Sequence, residues 1–507
     1  MPGGGGGCPC GDLRRPARAR GRREDAPAGG ARVAEDAGAA AAPPATAARG
    51  APFAGASSPC DALRRMADRR ELATGIVKRL RDAGHQAYFA GGCVRDQLLG
   101  REPLDFDVAT SAPPEAVQAL FRRTVPVGAQ FGVILVVEDG VPFEVATFRS
   151  DDAYVDGRRP TGVHFGSARA DAERRDFTIN GLFLDPLGGE VVDFVGGLAD
   201  LRAGIIRAIG DARARIAEDR LRMLRAVRFA ARLRFTIEPV TRAAIAAAAP
   251  TITDIAAERI GDEIASILTE GGARPGFELL ADTGLLGPIL PEVAAMAGVA
   301  QSPDFHPEGD VFVHTMLLLE QLPAGVSETL ALGALLHDVA KPPCAAQQDD
   351  GRITFYGHPA VGAEMAVAIC QRLRRSRAVW ERVAYLVRNH LRLVQAPEMR
   401  LSTLKKMLRE EGFDELLALA RIDALASNRD LRYVEFCERR GAELAAREDI
   451  RPPRLLGGHD LIALGYAPGP RFGEILAALE DAQLEGRVQT REDAERFVAE
   501  RYPRSER

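Results

Sequence analysis

Up to about residue 205 the chain alternates short apolar strands with helices, and beyond that point strand signals nearly vanish. This restricts the fold to an α/β unit joined to a long helical body, an α+β protein in class. The first unit reads as helix 71–83, strand "AYFA", Gly91-Gly92, a short helix, strand "DFDVAT" and helix 113–122. It continues with "GVILVVEDGVPFEVATF", a hairpin turning at Asp139-Gly140. The segments "RIAEDRLRMLRAVRFAARLRF", "VTRAAIAAAA", "ERIGDEIASILT" and "PGFELLADTGLL" are helical, and no repeat of 20–50 residues is present. A length of 507 residues calls for several cores, roughly three at ~100–200 residues each. The expected division is 1–65, 66–205, 206–300, 301–450 and 451–507.

Residues 1–65 are Gly, Ala, Pro and Arg with few large apolar side chains, so they bury too little surface to offset ordering entropy and are expected to be disordered. Their arginines fit a transit peptide or an RNA-binding arm. Glu24, Asp25, Glu35 and Asp36 argue against the first, no apolar segment supports secretion, and Met66 is an alternative start. A net charge of -5 excludes a wholesale polybasic protein, so nucleic-acid binding must come from local patches. No run of ~18 apolar residues is present to span a membrane. The seven cysteines show no metal-binding spacing, and a reducing cytoplasm is the expected setting.

The stretch "YFAGGCVRDQLLGREPLDFDVAT" carries the first chemistry. On a strand, positions i and i+2 share a face, so Asp105 and Asp107 project together while Phe106 and Val108 enter the core. Adjacent carboxylates repel unless cations lie between them. A pair of Mg2+ ions would satisfy them and would serve an in-line phosphoryl displacement. Gly91 and Gly92 allow close backbone approach, and the helix that follows favours a triphosphate. Glu144 lies opposite Phe143, Val145 and Thr147 and is a candidate third carboxylate. A D-x-D alone is more often a solvated strand face; the preceding glycine motif is what shifts the reading.

These motifs resemble the catalytic head of the DNA polymerase β nucleotidyltransferase superfamily, specifically the class II tRNA CCA-adding enzymes and bacterial poly(A) polymerases. "GGCVRDQLLG", "LDFDVAT", "FEVATFR", "DGRRPTGVHFG", "RRDFTINGLF", "EDRLRMLRAVRFAARL" and "ERIGDEI" occur in the family's order over residues 70–270. The resemblance implies a mixed-sheet head followed by a helical neck and body. It implies nucleotide binding by Gly91, Gly92, Arg95, Arg174, Arg175, Asp176 and Asn180, with Asp176 taking a sugar hydroxyl. In "EDRLR", read within one helix 216–232, Asp219 and Arg222 at i and i+3 share a face. A carboxylate beside a guanidinium complements the amino donor and ring-nitrogen acceptor shared by cytosine and adenine. In the family this element is an amino-acid template, with Glu218 orienting the arginine; the bland alternative is a surface ion pair of ~0.3–0.5 kcal/mol. Arg225, Arg228 and Arg232 continue along the helix as candidate RNA-phosphate contacts, or as simply solvated groups.

Histidine is scarce, eight in the chain, yet His314, His337, His358 and His390 fall between 301 and 450. Adjacent His337-Asp338, with an upstream histidine and a downstream aspartate, suits Mn2+, Fe2+, Ni2+ or Zn2+. The block resembles the HD domain, a helical metal-dependent phosphohydrolase module. The resemblance implies His314, His337, Asp338 and Asp423 as ligands of one metal and His358 and His390 as available to a second, with Asp430 as a rival for Asp423. The tail "GGHDLIALGYAPGPRFGEIL" resembles the C-terminal module of HD-containing relatives.

The expected function is metal-dependent addition of C and A from CTP and ATP to tRNA 3′ ends, with no membrane partner. A poly(A) polymerase shares almost every motif quoted, and addition of CC or A alone is a further option. A different class of reading is an HD phosphohydrolase or RNA-binding scaffold with an inert head.

Overall fold

A computed structural model describes residues 59–128, 131–151, 162–301, 309–349, 351–447 and 450–503. Residues 59–507 form one compact unit. The extension to residue 58, where disorder is expected, and the "DGRRPT" part of one motif lie outside the described residues.

The head is a seven-stranded mixed sheet. Its strands are β1 (Ala87–Ala90), β2 (Val108–Thr110), β3 (Thr124–Gly128), β4 (Val133–Glu138), β5 (Val141–Thr147), β8 (Leu182–Leu184) and β9 (Val191–Asp193), in the order β3-β4-β5-β2-β1-β8-β9. Between them, β6 (Arg149–Asp151) and β7 (Val163–Phe165) pair as a separate hairpin. Every neighbour in the large sheet is antiparallel except β2 and β5, which run parallel with Val108 opposite Val145. The β4–β5 turn is the one read from the sequence, with Asp139 and Gly140 both at positive φ, 48° and 82°, as a tight right-twisting hairpin requires. Phe106, Val108, Phe143 and Val145 are buried on the sheet's inner face, which turns the alternate residues outward.

Two elements differ from the reading above. The strand expected over "DFDVAT" is regular only from Val108, although the Ala90 N–H donates to the Asp107 carbonyl at 3.0 Å and carries the ladder back by one bond. The single helix expected over 216–232 is two helices, Ala212–Glu218 and Arg222–Leu233, with Asp219 extended between them at φ -145° and ψ 104°. The reason is local: the Asp219 side chain accepts from the Leu221 N–H at 3.0 Å, an alternative to helical pairing that short acids readily adopt.

Beyond the sheet the described residues are mostly helical, with two short strand pairs, Ile205–Ile206 with Thr236–Ile237 and Ala346–Gln347 with Ile353–Thr354. One contiguous buried apolar cluster runs from Ala73 to Cys437, whereas the tail has its own core around Leu461, Ile475 and Val498. The helical parts join at Gly261, where a Cβ would meet the Leu373 carbonyl oxygen; glycine is what allows the backbones to meet. Arg375 spans the same joint, pairing with Asp262 at 2.7 Å and Glu328 at 3.1 Å. Lys405, buried, donates to the Leu484 carbonyl at 2.8 Å and holds the tail module through the end of its helix Pro470–Leu484. Among the described residues no helix is long and apolar enough to cross a membrane.

Phe277 in helix Ala273–Asp282 is fully buried in the large cluster. Phe277→Ala is therefore expected to cost ~3–5 kcal/mol of stability, read as a lower thermal midpoint, and an unchanged midpoint would show that the neck core can close the cavity.

Candidate functional site

The parallel register of β2 and β5, continued one residue back from the pairing of Val108 with Val145, sets Asp107 beside Glu144 on the outer face. Asp105, exposed, lies two residues before Asp107 and pairs loosely with Arg69 at 3.4 Å. The Asp107 side chain opens to solvent on one side. Its carboxyl nevertheless lies in a crowded floor: burial pushes it up to about 6, Glu144 and Asp105 add repulsion, and Arg175 offsets part of this. The sheet thus makes Asp107 and Glu144 neighbours, while Asp105 precedes the strand and adds to the repulsion felt at Asp107. Like charges this close, with open coordination, are a donor set that fits hard divalent cations.

The adjoining wall is built from Gly91 and the segment Asp171–Asn180. Gly91, at φ 73°, begins the turn into helix Gly92–Leu98, and a Cβ there would lie 2.8 Å from Arg175 Nη1. The positive φ, which strains any side chain, is why the position favours glycine, and the missing Cβ leaves room for the Arg175 guanidinium. Arg175 also donates to the Asn180 carbonyl at 3.2 Å, and its guanidinium rests 5.3 Å above the Phe183 ring. Arg95 is buried rather than presented to the cleft, donating to Asp96 at 2.8 Å and to Asn180 Oδ1 at 2.8 Å.

Asp176 is also differently placed from expectation. It is 8% exposed and already accepts from the Phe177 N–H at 2.8 Å, Asn180 Nδ2 at 3.0 Å and Arg225 Nε at 2.8 Å. Burial opposes its ionisation, but Arg225 and Asn180 hold the carboxyl below its ordinary range. It is the hub joining the head to the helix Arg222–Leu233 rather than an open acceptor. The arginines read as phosphate contacts are each paired with a carboxylate while remaining partly exposed. Arg225 pairs with Asp176 at 2.7 Å, Arg228 with Glu263 at 3.1 Å, and Arg232 with Glu270 at 3.2 Å. Their helical spacing aims them at carboxylates of the head and of helix Ala257–Thr269, which the sequence pattern did not reveal.

At the helix break, Arg222 is 9% exposed and donates to Glu218 at 2.5 Å and to the Arg215 carbonyl at 2.7 Å. The orienting contact expected of Glu218 is therefore present. Asp219, being off the helix, is held instead by Arg259, whose two nitrogens reach its two oxygens at 3.2 and 2.8 Å. Arg259 was not identified as a site residue, although the motif "ERIGDEI" that contains it was; its distance in sequence hid the pairing.

The second centre lies in the helical body. His314, His337, Asp338, His358 and His390 are all buried, and Asp423 is largely so. His337, His358 and His390 each pair Nδ1 with a backbone carbonyl, of Ala334, Phe355 and Val387, at 2.9, 2.8 and 2.7 Å. Those carbonyls can only accept, so the Nδ1 atoms carry the protons and the Nε2 lone pairs face inward. Asp338 bridges two groups: one oxygen lies 3.2 Å from His337 and 3.9 Å from His314, the other 3.3 Å from His358 and 3.7 Å from His390. Asp423 reaches His314 at 3.1 Å, while the rival Asp430 pairs with Arg432 on the surface. Burial and the facing groups lower His390 to about 4, leaving it neutral at pH 7. Burial opposes charge on Asp338, yet His337 and Lys341 hold it ionised. Imidazole Nε2 atoms turned inward around a bridging carboxylate fit a transition metal or zinc. Lys341, missed in the sequence, pairs with Asp338 at 2.7 Å. The centre opens into a cavity of about 400 Å3 bordered by Arg352, Phe355 and Tyr356.

Three family models match the chain: "Poly A polymerase head domain" over 87–207, "Probable RNA and SrmB-binding site of polymerase A" over 234–296, and "HD domain" over 311–428. A CCA-adding enzyme of Levilactobacillus brevis is 33% identical over 432 residues, 84% of this chain and 96% of that protein. One of Geobacillus stearothermophilus is 45% identical over 214 residues, 42% of this chain and 53% of that one. The Bacillus stearothermophilus CCA-adding enzyme, solved in complex with CTP, superimposes with a TM-score of 0.57 at 29% identity, covering 85% of this chain and 96% of that one. The Thermotoga maritima CCA-adding enzyme, solved with tRNA, shares the fold with a TM-score of 0.55 at 19% identity.

A carboxyl raised above its unfolded value is more easily ionised in the unfolded chain, so Asp107 reduces stability progressively as pH rises through about 6. Without divalent cations, Asp107→Asn should therefore melt higher than the parent at pH 7.5, and the gap should close below pH 4. A variant melting lower at pH 7.5 would show that the three carboxylates are not in mutual repulsion.

Proposed function

Because the chain belongs to the family of CCA-adding enzymes, we propose that its head builds the 3′ CCA end of tRNA from CTP and ATP. It is an RNA nucleotidyltransferase with an HD domain. The observation that carries the proposal is the convergence of Asp105, Asp107 and Glu144 beside the Gly91 turn and the Arg174–Arg175 pair. Mg2+ bound by Asp105 and Asp107 would polarise the α-phosphate and stabilise charge on the departing pyrophosphate. Arg174 and Arg175, with the backbone at Gly91 and Gly92, hold the triphosphate and fix the α-phosphate in line with the tRNA 3′ hydroxyl. Asp176, Asn180 and Arg95 order the floor on which the sugar lies.

Asp219 and Arg222 read the base. A carboxylate accepts the exocyclic amine and a guanidinium donates to the ring nitrogen of cytosine or adenine, whereas uracil and guanine present the reverse pattern. Arg259 and Glu218 hold these two side chains at fixed angles, which sets the reading geometry before a nucleotide enters.

The HD centre forms a second active site, in which His314, His337, Asp338 and Asp423 hold one of Mn2+, Fe2+, Ni2+ or Zn2+, and His358 and His390 complete a second position. Its chemistry is hydrolysis of a phosphoester. The division at 66–205, 206–300, 301–450 and 451–507 places one task in each of the first three parts, nucleotidyl transfer, template and RNA contact, and hydrolysis.

A tRNA lacking its last three nucleotides, incubated with Mg2+, CTP and ATP, should be extended to plus three and stop. A long A ladder would instead mean a poly(A) polymerase, and plus two or plus one alone a partial-addition enzyme. Asp105→Ala should reduce extension by roughly a thousandfold while leaving metal-dependent phosphatase activity intact, and Asp338→Ala should do the opposite. Loss of both activities in either variant would join the two sites into one. Asp219→Ala should narrow the preference for CTP and ATP over UTP and GTP by about tenfold or more; unchanged selectivity would remove the template role.

A further inference from the structure

We propose that Asp171 is the positioning residue of the triphosphate site, a buried carboxylate that locks Arg174 and Arg175 into one two-pronged clamp. The proposal rests on the nucleotidyltransferase reading of the head.

Asp171 is 1% exposed, yet it belongs to no core contact that a charge would serve. Each of its oxygens is taken by one guanidinium. Oδ1 accepts from Arg174 Nε at 2.9 Å and Nη2 at 2.6 Å, and Oδ2 accepts from Arg175 Nε at 3.2 Å and Nη2 at 2.9 Å. The carboxylate lies behind and the guanidinium groups lie in front, their side chains 21% and 19% exposed. Two arginines adjacent in sequence would repel and splay if nothing lay between them. Asp171 removes both the repulsion and the rotational freedom, so a phosphate chain meets cations whose planes are already set.

The clamp is also tied to the rest of the site. Arg175 Nη1 borders Gly91 and donates to the Asn180 carbonyl, and its charge is felt at Asp107. The Arg174 carbonyl accepts from Arg215 at 3.1 Å and from Arg222 at 3.4 Å. One segment therefore has phosphate-facing side chains fixed by Asp171 and a backbone that supports the base-reading arginine. Because the side chains and the backbone contacts are separate, Asp171 governs affinity for the part common to all nucleotides, and base choice lies elsewhere.

The test uses the full chain with a tRNA lacking CCA. In Asp171→Asn one oxygen still accepts, but the amide nitrogen faces a guanidinium donor to donor, so one prong is released. KM for CTP and for ATP should rise by the same factor, about tenfold, with kcat little changed and inhibition by inorganic triphosphate weakened equally. Asp171→Glu keeps the charge but displaces both prongs and should also raise both KM values. A thermal midpoint that falls while KM and triphosphate inhibition stay unchanged would make Asp171 purely structural and overturn the proposal. Tighter triphosphate binding in Asp171→Asn, or parental behaviour of Asp171→Glu, would reduce it to a counter-charge and do the same. Arg174→Ala and Arg175→Ala separate the two layers. If both raise KM and the Asp171 variants do not, only the proposal fails; if neither does, the phosphate-binding reading fails with it.

Discussion

A charge withdrawn from water must meet a counter-charge or a cation, and most of this protein's working parts follow from how that requirement is met. Where acids and arginines alternate, they neutralise one another and become rigid: Asp171 with Arg174 and Arg175, Asp176 with Arg225, Asp219 with Arg259, Glu218 with Arg222. Where acids gather without enough arginine, at Asp105, Asp107 and Glu144, burial together with their mutual repulsion raises Asp107 to about 6. That electrostatically unfavourable place is the one proposed for the chemistry.

The helix Arg222–Leu233 transmits this order. Its apolar face, with Met223, Leu224 and Val227 fully buried, fixes its rotation, and that rotation directs Arg225, Arg228 and Arg232 to Asp176, Glu263 and Glu270. The neck is thus joined to the nucleotide wall by ion pairs rather than by packing alone. Helix Ala257–Thr269 receives two of these arginines, supplies Arg259 to Asp219, and meets the HD part at Gly261. The proposed base-reading residue Asp219 and the docking of the HD part therefore both depend on this helix.

The HD centre solves the same problem with neutral groups. Backbone carbonyls fix the protons of His337, His358 and His390 on Nδ1, and the Nε2 atoms converge on Asp338. Burial lowers His390 to about 4 against the opposing pull of Asp338, so that ring is neutral at pH 7. Helices meeting at the cluster could not close around it if those rings were charged and unpaired.

Motif order in the sequence was enough to locate the head, the helical body and the buried histidine–aspartate cluster of the HD domain, because alternation, glycine placement and histidine scarcity are local signals. It pointed to Asp105, Asp107 and Glu144 as outward-facing candidates against the core residues Phe106, Val108, Phe143 and Val145, although the strand is regular only from Val108 and Asp105 precedes it. It did not show that Asp219 leaves the helix, because the competing hydrogen bond to Leu221 and the pull of Arg259 are invisible to periodicity. Nor did it show which acid each arginine meets: Asp171 for Arg174 and Arg175, Asp176 for Arg225, Glu263 for Arg228 and Glu270 for Arg232. Which residues are able to bind, the sequence decides through side-chain chemistry; which of them remain available is decided by tertiary pairing, since a counter-charge 30 to 50 residues away has no local signature.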